Sequence, residues 1–298
     1  MTHTHATAPT RFVTVSGARL AYRSFGAADG VPLVLFQHFT GTMDNWDPSV
    51  VDGFARARQV VLFDNVGVSR SSGTTPDTVR AMADDAVAFI AALGLAQVDL
   101  LGFSLGGFIA QIVAAEHPDL VRRVILAGTG PEGGEGIRDI GAVVERGLRA
   151  SPEQPRLYLF FEQSESSQRA ARSFIARQAS RTEDRDPDIS TETFSAQLAA
   201  IVAWGASNSR EPETTLQRIT QRVLVVNGKM DLMVPTVNSY ALFQGLPDAV
   251  AILYSDSGHG ALFQYADDFV REGVLFLDDN RTSKRTENEV REAFVGLH

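Results

Sequence analysis

One serine in this chain stands where its neighbours would expose it for chemistry. Val98 to Phe103 reads as a buried strand, and from Leu105 to Val113 small and apolar residues recur at helical spacing. Between them lies Gly102-Phe103-Ser104-Leu105-Gly106, a G-x-S-x-G pattern. A serine on so sharp a strand-to-helix turn is held in a strained backbone conformation with its hydroxyl clear of both elements. Glycines at 102 and 106 leave room for chain passing close by. Such a hydroxyl could attack a carbonyl carbon. It is a poor nucleophile near neutral pH, so it needs a base within hydrogen-bond reach, and the base needs a fixed tautomer. The alternative is a glycine-rich turn carrying an inert serine, and the rest of the chain has to decide between them.

The candidate partners are few. There are six histidines and no cysteine, which excludes disulfides, thiolate metal sites and a cysteine nucleophile. His3 and His5 belong to the N-terminal tail, where weak metal binding competes with plain solvation. His117 precedes Pro118 at a helix end, a cap or surface position. His38, in the loop Gln37-His-Phe-Thr-Gly-Thr42, is open to three readings: a packed loop histidine, a substrate contact, or a second acid or base. His259 lies in Ser255-Asp-Ser-Gly-His-Gly260, after the last run that reads as a strand. Asp231 sits in Gly228-Lys-Met-Asp-Leu-Met-Val-Pro235. An aspartate in a turn is usually a hydrogen-bond cap, but this turn ends a strand, where open α/β sheets place their ligands. Asp256 is near His259 in sequence without needing to face it. Gly128-Thr-Gly-Pro-Glu-Gly133 formally matches a dinucleotide fingerprint, yet Glu132 and Glu135 put negative charge where the pyrophosphate would sit. A flexible exit into an inserted segment accounts for those glycines.

The elements that must position these residues follow from periodicity. Arg11 to Ser16 and Arg19 to Phe25 alternate across Ser16-Gly17-Ala18 as a hairpin. Pro32 to Phe36, Gln59 to Phe63, Arg123 to Ala127, Gln221 to Asn227 and Val250 to Tyr254 are short apolar runs expected of strands covered on both faces. Thr75-Pro76-Asp77 predicts a helix start, Val79, Met82, Ala83, Ala86, Ile90 and Leu93 its buried stripe, and Gly94 its stop, making it the crossover of a right-handed β-α-β unit. Asp64, after the second parallel strand, is expected to hold loop N–H groups. From about Pro131 to Pro212 the pattern becomes helical only, around Ile137 to Ala150, Gln154 to Phe161, Ser166 to Ala179 and Thr191 to Ala206. A helix from Phe269, a charged bend from Asp278 to Arg285 and an amphipathic piece through Val290, Phe294 and Leu297 complete the chain.

At 298 residues, with 44% hydrophobic and 21% charged residues, the chain is long enough for one large α/β domain or for one domain with an insertion. Its net charge of −9 argues against nucleic acid or an anionic membrane as a partner. No secretory pattern opens the sequence and no apolar run is long enough to span a bilayer, so a cytoplasmic enzyme is the expectation.

The elbow around Ser104, the Asp231 turn and Gly258-His259 together resemble the α/β-hydrolase superfamily, and the likeness runs from the hairpin to the last helices. It implies an eight-stranded, mostly parallel sheet with helices on both faces. Residues 1–130 and 213–298 would form the core domain and residues 131–212 an inserted helical cap. It also implies that Ser104 is the nucleophile, His259 the base and Asp231 its orienter, in the superfamily's chain order. The backbone N–H groups of Phe39 and Leu105 would form the oxyanion hole. The usual His-Gly before Phe-Thr-Gly is replaced here by Gln37-His38, and Val66 and Ser69 stand where the Asp64 loop usually has arginine and glycine. His38, Phe160, Phe161 and Trp204 are candidates for lining the substrate pocket, with Phe174 and Phe194 further possibilities. The chemistry implied needs no metal and no organic cofactor. The expected activity is hydrolysis of a carboxylic ester or lactone of a small, largely apolar substrate through an acyl-enzyme. Cofactor-free haloperoxidases or perhydrolases and carbon-carbon bond hydrolases use the same triad, and a ligand receptor on a hydrolase scaffold would keep it too. The partner expected is a small-molecule substrate, with the chain a monomer or homodimer.

Overall fold

A computed structural model describes residues 3–207 and 211–279. Eight strands form one sheet: β1 (Arg11–Val15), β2 (Ala18–Gly26), β3 (Leu33–Phe36), β4 (Gln59–Phe63), β5 (Val98–Phe103), β6 (Val121–Ala127), β7 (Arg222–Gly228) and β8 (Ala249–Tyr254). Their spatial order is β1-β2-β4-β3-β5-β6-β7-β8. The pairs β1 with β2 and β2 with β4 are antiparallel, and every later pair is parallel. The order reverses around β3, so β3 and β5 lie side by side at the centre with their carboxyl ends together, which is where a doubly wound sheet forms its crevice.

Burial explains the apolar runs. Every residue of β3, β5 and β7 is buried, as expected of parallel strands covered on both faces, whereas β8 is an edge whose Val250 and Leu253 face outward. Helix α1 (Pro48–Ala55) lies in the connection from β3 to β4, and α2 (Val79–Ala92) and α3 (Leu105–Glu116) flank β5 in sequence. Leu105 through Ala115 are all buried, because α3 is wedged between the sheet and α2. The α2 stripe packs as expected, with Phe89 added to it, and Gly94 stops the helix with φ +70°. Its start differs from expectation. The cap is Thr78, whose hydroxyl accepts the Ala81 N–H, while the Thr75 hydroxyl is drawn to Thr193 at 2.9 Å.

Between β6 and β7 the described residues form only helices: a 3₁₀ turn at Ile137–Asp139, then α4 (Ile140–Ala150), α5 (Pro155–Phe160), α6 (Glu165–Gln178), α7 (Thr191–Ala206) and α8 (Glu211–Arg218). The last has no counterpart among the expected helices. It runs across the expected boundary at 212 and packs on α3 and on α9 (Val237–Gly245), so it sits with the sheet-bearing part. The chain ends with α10 (Ala261–Gln264) and α11 (Ala266–Asp278), the latter packed on α1. The charged bend beyond Asp279 and the amphipathic piece through Leu297 lie outside the described residues.

The exit from β6 is not the loose segment its glycines imply. Residues 128–131 are buried, and the Gly130 carbonyl accepts from Gln111 Nε2 at 3.0 Å and Trp204 Nε1 at 3.4 Å. Small residues are needed there because a Cβ on Gly128 would sit 3.0 Å from the Phe103 ring and 3.1 Å from His259 Nδ1, and one on Gly130 would sit 2.8 Å from Asn238 and 2.9 Å from Ile137.

A buried ionic cluster ties the insertion to the loop after β3. Arg23 on β2, fully buried, bonds Asp44 and donates to Asp186 at 2.8 Å, from the segment joining α6 to α7. Asp44 and Asp186 each accept the other's backbone N–H, at 2.7 and 3.2 Å. Asp64 holds the Met43 N–H at 2.9 Å, as its turn position predicts. Burial, and then the charge of Asp186, push its carboxyl well above the usual carboxylate range.

Candidate active site

The turn at Ser104 is steric in origin. A Cβ on Gly106 would sit 2.0 Å from the Phe36 carbonyl oxygen, and one on Gly102 would sit 2.4 Å from the Gly106 oxygen. The end of β3 therefore crosses the start of α3 backbone to backbone. Ser104 itself has φ +56° and ψ −119°, a conformation that costs of order 1–3 kcal/mol for a non-glycine residue. Its surroundings hold it there: its N–H donates to the Ala127 carbonyl at 2.9 Å, and its carbonyl accepts from the Gly107 N–H at 2.8 Å and the Thr129 hydroxyl at 2.9 Å.

Asp231 and His259 meet as the sequence predicts. His259 Nδ1 lies 2.8 Å from Asp231 Oδ2, with both side chains fully buried. The other carboxylate oxygen accepts the N–H groups of Met233 and Val234, at 2.8 and 2.9 Å, so the carboxylate is fixed by its own turn. A carboxylate only accepts, so Nδ1 carries the proton and Nε2 presents a lone pair. That Nε2 is buried and has no hydrogen-bond partner among the described residues. The imidazole packs on Phe103, the residue before Ser104, with ring centroids 4.9 Å apart. Serine and imidazole thus occupy one end of the sheet. Asp256 is turned away, accepting from the hydroxyls of Ser164 and Ser166.

The loop after β3 is braced by side chains and not by a glycine. Gln37 Oε1 accepts the His38 N–H at 2.9 Å and its Nε2 donates to the Thr42 carbonyl at 2.6 Å. Thr40 takes φ +64°, and its N–H donates to Oε1 of Gln197 on α7 at 2.8 Å. The N–H groups of Phe39 and Leu105 donate to no protein acceptor among the described residues. His38 is buried. Its Nδ1 lies 2.7 Å from the Phe39 carbonyl, and its Nε2 has no partner among the described residues. Burial, and then the nearby Arg156 guanidinium, lower its pKa to about 3, so the ring is neutral.

Phe160 stands between the two histidines, with ring centroids 5.3 Å from His38 and 5.2 Å from His259, and its carbonyl accepts the Gly260 N–H at 2.7 Å. The other lining candidates make packing contacts, Phe161 among them lying beside Gly260. Phe161 packs on Phe174, which stacks on Phe263, and Trp204 stacks on Phe108 of α3 while its N–H is held by Gly130. Both are large apolar groups that pack the insertion onto the sheet. Phe194 touches Phe39. Sequence reasoning missed Phe103 and Phe263, which complete the aromatic surround, and Gln197. The two phenylalanines were discoverable, standing one residue before Ser104 and four after His259. Among the described residues no cluster of three or more histidine, aspartate or glutamate side chains is arranged to hold a metal ion, and no helix is long and apolar enough to cross a membrane.

Residues 31–265 match the sequence model of the alpha/beta hydrolase fold. The chain belongs to that family. It is a hydrolase by these relationships. An alpha/beta hydrolase fold protein from Chitinophaga pinensis superposes with a TM-score of 0.89 at 46% identity, covering 93% of this chain and 100% of that one. The 2-hydroxymuconate semialdehyde hydrolase of Pseudomonas putida is 24% identical over 84% of this chain and 88% of its own length. An enol-lactonase from Burkholderia xenovorans LB400 shares the fold, with a TM-score of 0.72 at 20% identity over 90% of this chain and 100% of that one.

Proposed function

We propose that this α/β hydrolase cleaves carboxylic esters or lactones of small, largely apolar compounds through an acyl-enzyme on Ser104. The observation that carries the reading is the buried Asp231–His259 pair, whose free Nε2 sits at the strand end bearing Ser104. In this scheme Nε2 takes the Ser104 proton as Oγ attacks the carbonyl carbon, and Asp231 stabilises the imidazolium. The N–H groups of Phe39 and Leu105 meet the oxyanion. The intermediate collapses as His259 returns the proton to the departing alkoxide. A water, activated by the same nitrogen, then releases the acid.

The helices of residues 131–212 serve as the cap in this reading, since α5 contributes Phe160 and α7 contributes Gln197. Aromatic rings around the base favour an apolar acyl group and keep the local dielectric low. Every group in this scheme comes from one chain, so a monomer suffices.

The test is Ser104→Ala together with a fluorophosphonate probe. Turnover of aryl esters and lactones should fall about a million-fold, and the probe should label Ser104 in the wild type alone. Activity within tenfold of wild type would end the proposal. Carbon-carbon bond hydrolysis is the second reading, favoured by the likeness to the semialdehyde hydrolase. Faster cleavage of a vinylogous diketone than of any ester would select it.

A further inference from the structure

Two imidazoles end in the same aromatic surround, and the proposed mechanism uses only one. His38 and His259 share both Phe103 and Phe160 as ring neighbours, at 5.4 and 5.3 Å for His38 and 4.9 and 5.2 Å for His259. Each has its Nδ1 engaged by an oxygen that only accepts, a backbone carbonyl for His38 and a carboxylate for His259. Each therefore presents a lone pair at a buried Nε2 with no partner among the described residues. A buried acceptor left unfilled is costly, and such groups ordinarily have a partner.

We propose that His38 Nε2 is a substrate-recognition point that accepts a hydrogen bond from an O–H or N–H group on the atom next to the scissile carbonyl, making α-hydroxy esters and N–H carbamates the substrate class. The inference rests on the serine-hydrolase reading of the same site. Its position follows from the chain: His38 precedes Phe39, whose N–H is the proposed oxyanion donor, so the imidazole borders the place where the carbonyl is held. Its polarity follows from its surroundings. Burial and the Arg156 guanidinium keep a second proton off the ring, so His38 accepts and does not donate. Whatever fills the position must bring the hydrogen. Gln37 fixes the His38 backbone and the Phe39 carbonyl fixes its ring, so the acceptor is preorganised.

The test compares 4-nitrophenyl lactate with 4-nitrophenyl isobutyrate, which differ by a hydroxyl in place of a methyl, each corrected for its rate with hydroxide. Wild-type kcat/KM should favour the lactate by roughly tenfold to a hundredfold, as a site built to bind a hydroxyl discriminates against its methyl analogue. His38→Leu should bring the ratio to about one, and His38→Gln, which keeps an acceptor, should restore part of it. A ratio near one in the wild type, or one that survives in His38→Leu, overturns the inference. A readout independent of turnover is the ¹⁵N signal of His38 Nε2 in the wild-type protein, which the ketone 3-hydroxybutan-2-one should shift and 3-methylbutan-2-one should not. A signal that neither ketone moves, or that both move alike, overturns the inference as well. Failure of the parent reading looks different: no ester is turned over and the fluorophosphonate leaves Ser104 unlabelled, while the His38 signal still answers the question.

Discussion

Asp231→Asn should abolish activity while leaving the fold standing, because the two carboxylate oxygens have separate tasks. Oδ1 closes the turn on the N–H groups of Met233 and Val234, and Oδ2 accepts the hydrogen bond from the Nδ1–H of His259. An asparagine carbonyl can replace Oδ1 and keep both turn bonds. Its NH₂ then faces Nδ1, donor against donor. The imidazole resolves the clash by moving its proton to Nε2, the nitrogen that receives the serine proton in the proposed mechanism. In the serine-protease triad the same substitution costs about 10⁴ in turnover, which at 1.36 kcal/mol per decade is about 5.5 kcal/mol of lost transition-state stabilisation. Asp231→Ala is the control. It orphans two buried backbone donors at about 1–3 kcal/mol each and should lower stability by about 2–6 kcal/mol. Saturation kinetics on an aryl ester and urea denaturation of the wild type and both variants make the comparison. An asparagine variant losing less than tenfold in kcat would refute the tautomer argument. One that unfolds as readily as the alanine variant would refute the division of labour.

Three further outcomes follow from the same geometry. Gly106→Ala would place a Cβ 2.0 Å from the Phe36 oxygen and 2.9 Å from that of Gln37, both backbone atoms that cannot step aside, so a loss above about 4 kcal/mol in denaturation is expected. His38 titrates near 3 when folded and about 6.5 when unfolded, so the unfolded chain binds the proton first and stability is lost as pH falls through that window. Between pH 7 and pH 4 the wild type should lose about 3 kcal/mol more than His38→Gln, and equal losses in urea titrations at the two pH values would contradict the buried neutral ring. Gln197→Leu orphans the Thr40 N–H beside Phe39, and should lower kcat/KM by about tenfold, chiefly through kcat, if α7 positions the oxyanion loop.

The parts of this protein that could be read from the sequence are those decided by local pattern. The sheet strands announced themselves as apolar runs because central parallel strands have no solvent face. Ser104 was legible because its two glycines are demanded by a crossing of backbones, which no larger residue permits. Asp231 and His259 were legible because each ends a recognisable strand. Where several elements compete, the pattern gave less. Thr75 looked like a better cap than Thr78, but Thr193 on a helix 118 residues later takes its hydroxyl. Trp204 and Phe161 are pocket candidates for which core packing between helices is the better expectation residue by residue, and only tertiary contact distinguishes the two roles, since an aromatic side chain suits either. Helix α8 is short and polar, and its start carries no apolar stripe to mark it.

The replacement of the usual His-Gly by Gln37-His38 looks like damage to the oxyanion loop when judged by residue type, since a non-glycine at 38 restricts the backbone. The side-chain bonds reverse that judgement. Gln37 bridges the loop from the His38 N–H to the Thr42 carbonyl, and His38 grips the Phe39 carbonyl. Thr40 accepts the left-handed conformation, and α7 reaches in to hold its N–H. A loop fixed in this way gains direction for its donors from side chains instead of from backbone freedom, and a small side chain at 37 would leave His38 unbraced. Gln37→Ala should therefore weaken catalysis and the His38-dependent lactate preference together, whereas a loop held by backbone alone would lose neither. The paired loss, measured as kcat/KM on the lactate and isobutyrate esters, is the signature that Gln37 and His38 act as one unit.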